Sequence, residues 1–296
     1  MGKYFVIGAS GLIGSELLSL LKTKSEQAIG TYTNNFENGL LKFDMGDLQF
    51  SDLGEVKKGD IFYILSAYSN PSWIAQNKEE AKKLNYDNTI QLIDFLIEKE
   101  AKIIFMSSVE VFDGKKGNYC EDDTPNPLNY YGELKLKVEH YLQENYEDFI
   151  IARTGWNVGI NYKSRCVIQL TYETLLNEEA KMASDNFFSL CYTVDTALGL
   201  YKSSKKNNLK KIHIASEKII NRLTMANTIK QNSARGDNMF FKECKFSEIP
   251  YSEPRGRIND LNCKLSRDLL NMKYFDSDDL ILKKVKYLDQ SLNLNK

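Results

Sequence analysis

The stretch that most restricts the fold is KYFVIGASGLIG at residues 3–14. A short continuous apolar run ends in glycine, after which Leu12, Ile13, Leu17, Leu18 and Leu21 recur at helical spacing. Strand, tight turn and helix therefore follow one another without a gap. Gly8, Gly11 and Gly14 occupy the turn and the start of the helix. The first glycine allows the bend and the second lets backbone approach a ligand, while the helix N-terminus offers N–H groups and partial positive charge to an anion. Placed between a strand and a helix, the motif predicts a dinucleotide-binding turn, with Ser10, Leu12 and Ile13 lining it.

The same alternation continues along the chain. Strands are expected at Ala28–Tyr32, Ile61–Leu65, Ile103–Ser108 and in FIIAR ending at Arg153. Helices are expected over about Lys78–Lys99 and Tyr131–Gln143. Parallel strands need helical crossovers, so the order implies a Rossmann-type, doubly wound α/β sheet covered on both faces. After Arg153 the pattern loosens into Ile212–Ser216, a helical stretch at Leu223–Lys230 and a last helix near Asp278–Leu288. We expect a dinucleotide-binding domain over 1–155 and a smaller mixed α/β substrate region over 156–296, with a segment returning to the sheet. No Pro/Gly/Ser-rich linker separates them, so they should pack as one body.

Composition narrows the partner. With 296 residues, 42% of them hydrophobic, the chain can bury a large core without disulfides. Its 39 basic and 40 acidic residues nearly cancel, which removes the footprint expected for nucleic acid or anionic lipid. No apolar run reaches the roughly 18 residues of a membrane span, so a soluble, cytoplasmic protein with a small-molecule partner is expected. The five cysteines are scattered without a CxxC pair, and neither His140 nor His213 has ligand-type neighbours. No metal is expected, and proton transfer must come from other groups.

Tyr131-Gly-Glu-Leu-Lys135 opens the later helix, and Ser107 and Ser108 close the strand before it. Tyr131 and Lys135, at i and i+4, share a helical face; Tyr130 has no lysine four residues on. A phenol alone is a poor acid at neutral pH, but a nearby ammonium favours its ionised form. Ser108 would then hydrogen-bond the substrate oxygen whose charge changes. Because 17 tyrosines occur here, YxxxK alone would mark only a surface helix. The glycine turn upstream and the strand-end serine turn it into a catalytic expectation.

The glycine spacing is GxxGxxG, and it resembles that of the extended short-chain dehydrogenase/reductase superfamily. Within it, FMSSVEVFDGKKGNYCEDDTPNPLNYYGELKLKVE is similar to the central region of dTDP-4-dehydrorhamnose reductases and related nucleotide-sugar reductases, with VFDG at Val111–Gly114 and the N-x-YG-x-x-K ending. The resemblance implies that Asp44 and Met45 meet the adenine, the lesser alternative for Asp44 being a solvated turn aspartate. It also implies that Ser66, Ala67 and Tyr68 of SAYSN, together with Asn85, lie along the cofactor, and that Thr154 in ARTGWNVG lies beside the nicotinamide. Two departures stand out: Val109 and Glu110 replace the acid and aromatic residue usual after the strand-end Ser/Thr, and Ile7 stands where Thr is frequent.

Cofactor choice rests on GTYTNN at the tip of the second strand. An acid there, about 20 residues beyond the glycines, would bind the ribose 2′-hydroxyl of NAD. Thr31, Thr33, Asn34 and Asn35 are neutral, which favours NADP while leaving NAD possible. On the substrate side, seven arginines stand against 32 lysines, which singles out Arg255 and Arg257 for a pyrophosphate, or else as a solvated basic turn. Arg222 is expected to cap or decorate a helix. Ser108, Val109, Glu110, Trp156 and Asn157 complete the candidate substrate pocket, Trp156 being equally consistent with core. The expectation is an NADPH-dependent oxidoreductase of nucleotide-sugar metabolism and polysaccharide biosynthesis that reduces a 4-keto sugar. Rivals are an epimerase or dehydratase on the same scaffold and a non-catalytic NADP-binding regulatory subunit. A homodimer through the helices near 78–99 and 131–145 is implied by the resemblance alone.

Overall fold

The computed structural model describes residues 2–34, 36–161, 166–177 and 180–293. In chain order it runs β1 (Tyr4–Ile7), α1 (Leu12–Thr23), β2 (Ala28–Tyr32), β3 (Leu41–Lys42), β4 (Ile61–Ile64), α2 (Pro71–Gln76), α3 (Lys78–Lys82), α4 (Asn88–Glu98), β5 (Lys102–Ser108), α5 (Tyr130–Asn145) and β6 (Phe149–Thr154). Then follow β7 (Trp156–Val158), α6 (Val167–Asn177), β8 (Ala180–Ala183), β9 (Phe187–Tyr192), α7 (Thr193–Ser204), β10 (Lys211–Ile214), β11 (Ile219–Asn221), α8 (Arg222–Asn232), β12 (Phe241–Cys244), β13 (Ile258–Asn259), α9 (Lys264–Leu270) and α10 (Ser277–Asn293).

Seven strands form one parallel sheet in the order β10-β6-β5-β4-β1-β2-β3. Their continuous apolar runs are explained by burial on both faces. Phe5, Ile7, Phe62, Ile64, Ile103 and Phe105 point to the α4 and α5 side, against Leu92, Leu96, Val138 and Leu142. The intervening Tyr4, Val6, Tyr63 and Ile104 point to α1 and α7, against Leu17, Leu21, Ala197 and Leu200. The expected doubly wound α/β arrangement is present.

A second core gathers Tyr172 of α6, Phe188 and Leu190 of β9, Met225 and Ile229 of α8, and Ile281 and Val285 of α10. Short strands cover it: β9 pairs with β7, β11 and β13, and β8 pairs with β12. The segment of the C-terminal half that returns to the main sheet is β10, in the stretch near Ile212, which pairs with β6 as the sheet's edge. The single helix expected over 78–99 is interrupted by a π-helical turn at Lys83–Asp87. There the Thr89 hydroxyl donates to the Leu84 carbonyl at 2.9 Å, and Asn85 turns inward. Such one-turn bulges re-aim side chains.

The chain order reverses between β2-β1 and β4-β5, and ligands bind outside the carboxyl ends of such strands. Gly8, Ser66, Ser108 and Thr154 all lie at those ends. Among the described residues, no helix is long and apolar enough to cross a membrane, and no group of three or more His, Cys, Asp or Glu side chains could hold a metal ion.

Candidate active site

The glycine turn is built as its sequence implies. Gly8 has φ +89°, in the left-handed region, and its carbonyl accepts the Gly11 N–H at 3.1 Å. A Cβ on Gly14 would lie 2.2 Å from the Gly8 oxygen, so only glycine lets α1 pack this close to the turn. Gly11 caps α1 with no side chain, and the first turn holds no acid to offset its positive end. These features fit a dinucleotide pyrophosphate.

Several residues expected to touch the cofactor instead support the turn. Thr31 is buried; its hydroxyl accepts the Gly8 N–H at 3.1 Å and donates to the Val6 carbonyl at 3.4 Å, so it does not face a ribose. Thr33 donates to the Phe43 carbonyl, Asn34 is exposed, and Asn35 lies outside the described residues. One Asp44 carboxylate oxygen accepts the Gly46 N–H at 2.7 Å, closing a turn. Met45 is buried, and its carbonyl accepts Asn88 Nδ2 at 2.6 Å, a brace the sequence did not single out. Ser66 backs directly onto Gly8. Asn85 accepts the Tyr68 N–H at 2.9 Å and donates to the Tyr68 carbonyl at 2.8 Å, which fixes the Ser66–Tyr68 segment.

Ser108 and Thr154 are register partners on β5 and β6. Asn129 caps α5 by accepting the Gly132 N–H at 2.9 Å, which sets Tyr131 in the first turn. The Ser108 hydroxyl faces the Tyr131 phenol and favours its ionised form, but burial first, and then the Glu110 carboxyl, push the phenol well above its ordinary value. Lys135 is buried, donates to the Met106 carbonyl at 2.8 Å, and holds Nζ 5.8 Å from the Tyr131 ring centre. Burial lowers its pKa to about 8, against the opposing pull of Glu139. Ser108, Tyr131 and Lys135 are thus together at one mouth of the sheet.

Behind them lies a charged layer. Ser107, facing away from Ser108, donates to Glu139 Oε1 at 2.5 Å, and Glu139 is paired with Arg153. His213 Nδ1 lies 3.0 Å from the Tyr119 carbonyl, which can only accept, so Nε2 is free to accept from Arg153 Nη1 at 3.4 Å. Burial holds that imidazole neutral, with its pKa near 3. Glu139 follows Lys135 by one helical turn, which was the available sequence signal.

On the substrate side the expected residues divide. Glu110 is buried; Asn129 Nδ2 donates to one of its oxygens at 2.7 Å and Asn259 Nδ2 to the other at 3.3 Å. Val109 packs into a small core with Val111 and Phe112 and does not face the cleft. Asn157 is likewise turned inward, bonded to Thr154, the Gly155 carbonyl and Thr196. Arg255 lies over the Tyr251 ring, with a buried Nε that has no hydrogen-bond partner. Arg257 is exposed and reaches the Asp185 carbonyl at 3.4 Å. Arg222 does more than decorate α8: its guanidinium stacks over Trp156 at 4.7 Å, and burial, with Arg255 nearby, lowers its pKa to about 10. Arg222 and Arg255 are close enough for each to feel the other's charge, and Arg255 also acts on the Glu110 carboxyl.

Comparison with known proteins bears on family and fold. The family described as RmlD substrate binding domain matches residues 2–277. The probable low-salt glycan biosynthesis reductase Agl14 of Haloferax volcanii is 29% identical over 160 residues, 52% of this chain and 53% of that protein. Methionine adenosyltransferase 2 subunit beta of Bos taurus is 29% identical over 147 residues, 48% of this chain and 43% of its own length. The chain thus spans about half the length of the curated relatives it matches. A hypothetical dTDP-4-dehydrorhamnose reductase from Sulfolobus tokodaii superposes with TM-score 0.78 and 25% identity over 94% of this chain and 98% of that one. MoeE5 in complex with UDP-glucuronic acid and NAD, at 15% identity and TM-score 0.82, shares the fold over 98% of this chain and 100% of its own.

Proposed function

The chain belongs to the RmlD substrate-binding domain family, and on that footing we propose that it is an NADPH-dependent reductase of a nucleotide-activated 4-keto sugar. The observation that carries this reading is the meeting of Ser108, Tyr131 and Lys135 at the same sheet edge as the glycine turn. When bound, the nicotinamide supplies a hydride to the keto carbon. Tyr131 gives its proton to the oxygen, Ser108 holds that oxygen, and Lys135 stabilises the phenolate that remains. The turn at Gly8, Gly11 and Gly14 would cradle the cofactor pyrophosphate. Thr33 and Asn34 present no acid to repel a 2′-phosphate, so NADPH is favoured, with NADH the alternative.

Arg222 and Arg255 would hold the substrate pyrophosphate, and Trp156 would form the wall beneath it. The outer faces of α4 and α5 expose Asp94, Glu98, Lys137 and His140, so a homodimer through them would be polar. A second reading, a non-catalytic subunit, is supported by the half-chain similarity to methionine adenosyltransferase 2 subunit beta. Screening 4-keto nucleotide sugars by NADPH oxidation separates the two. Turnover supports the reductase; no turnover with any of them, together with co-purification with a larger enzyme, supports the subunit.

A further inference from the structure

Glu110 is an acid with no role in the chemistry above, yet it is tied to both members of the Ser108–Tyr131 pair. Its backbone N–H donates to Ser108 Oγ at 3.2 Å. Its carboxyl is held by Asn129, whose own carbonyl oxygen caps α5 one residue beyond Tyr131. A Cβ on Gly132 would lie 2.1 Å from the Glu110 carbonyl oxygen, so strand end and helix start are in direct contact here. The side chain is 8% exposed, and both oxygens are met by neutral amides, with no cation within ion-pair distance among the described residues. The ionisable groups that act with it are Tyr131 from α5 and Arg255 from the segment before β13.

We propose that Glu110 governs whether Tyr131 can act as an acid: protonated, it permits the phenolate that proton donation leaves behind, and ionised, it opposes that phenolate. This rests on the reading of Tyr131 as the proton donor. As the hydride forms the new C–H bond, the Tyr131 O–H bond breaks and the substrate O–H bond forms, leaving negative charge on Tyr131. A second negative charge on Glu110, in the same buried cluster, raises the free energy of that state. Burial favours the protonated carboxyl, whereas Asn129 and Arg255 pull towards the ionised one, so Glu110 ionises above its ordinary range. Reduction should therefore slow as pH rises through the Glu110 transition, a fall distinct from the one set by Lys135 losing its charge near pH 8.

The test is the pH profile of kcat for NADPH-dependent reduction of a 4-keto nucleotide sugar in the wild type, Glu110→Gln and Arg255→Gln. Glu110→Gln should lose the falling limb that Glu110 sets and keep the limb near pH 8 that Lys135 sets. Arg255→Gln removes a group that favours the Glu110 anion, so the Glu110 limb should move to higher pH even as KM rises. A Glu110→Gln profile that superimposes on the wild type, or an Arg255→Gln limb that stays in place, would overturn the inference. If Tyr131→Phe turns over normally, or the wild type turns over no such sugar, the reading beneath it fails and the inference fails with it.

Discussion

Glu139 and Arg153 form a two-point ion pair inside the protein, with Nε 3.0 Å from Oε1 and Nη2 2.6 Å from Oε2. The pair joins α5 to β6, and Ser107 ties it to β5. The elements that carry Tyr131, Thr154 and Ser108 are thereby held by one carboxylate.

Removing one partner leaves an uncompensated buried charge, which costs about 3–5 kcal/mol. Arg153→Met should lower stability by that amount in urea denaturation, and the double variant Glu139→Leu/Arg153→Met should recover most of it. A double variant as unstable as the sum of the single changes would mean that the two side chains are uncoupled, and would contradict the ion pair.

Of the three turn glycines, Gly14 leaves the least room for a side chain. Gly14→Ala places a methyl group against the Gly8 carbonyl, which forces α1 away from the turn. Overpacking of this kind costs about 1–3 kcal/mol, so the Kd for NADPH, read by fluorescence titration, should rise about tenfold or more. An unchanged Kd would remove the turn from the cofactor site.

Lys135 gives the wild type a signature in both activity and stability. Its folded pKa of about 8 lies below the 10.5 of the free side chain. Between those values the unfolded chain holds the proton and the native protein does not, so this group makes stability rise with pH across that window. Relative to Lys135→Met, the wild type should gain stability from pH 8 to 10 in chemical denaturation. Over the same range its reductase activity should fall. Parallel stability curves for the two proteins would contradict the buried placement of Lys135.

Arg222 and Arg255 should act on substrate and not on cofactor. Hydrogen bonds to charged groups contribute about 1.5–3 kcal/mol, so Arg222→Gln and Arg255→Gln should each raise KM for a nucleotide sugar about 10- to 150-fold. The NADPH Kd should stay within a factor of two or so on the same scale. Equal losses in both would place the arginines elsewhere in the mechanism.

What could be read from the sequence was local. The strand-glycine-helix order at Tyr4–Thr23 and the Tyr131–Lys135 pair depend on neighbours in the chain, so period and spacing reveal them. The direction in which a side chain faces at a strand end was harder to read. Thr31 turned into the protein to hold Gly8, Val109 joined a core, and Asn157 bonded Thr154, because each is set by packing from distant segments. The stacking of Arg222 on Trp156 joins residues far apart in the chain, and no local pattern encodes it. Asn129 was legible in principle, since an Asn three residues before Gly132 is an N-cap signal.

The central claim is that Tyr131 delivers the proton, and Tyr131→Phe tests it most directly. The change removes one hydroxyl and keeps the ring that packs near Lys135. With a 4-keto nucleotide sugar that the wild type reduces, kcat for NADPH oxidation should fall about 10²- to 10⁴-fold while the NADPH Kd is unchanged. Turnover by Tyr131→Phe at the wild-type rate would contradict the account.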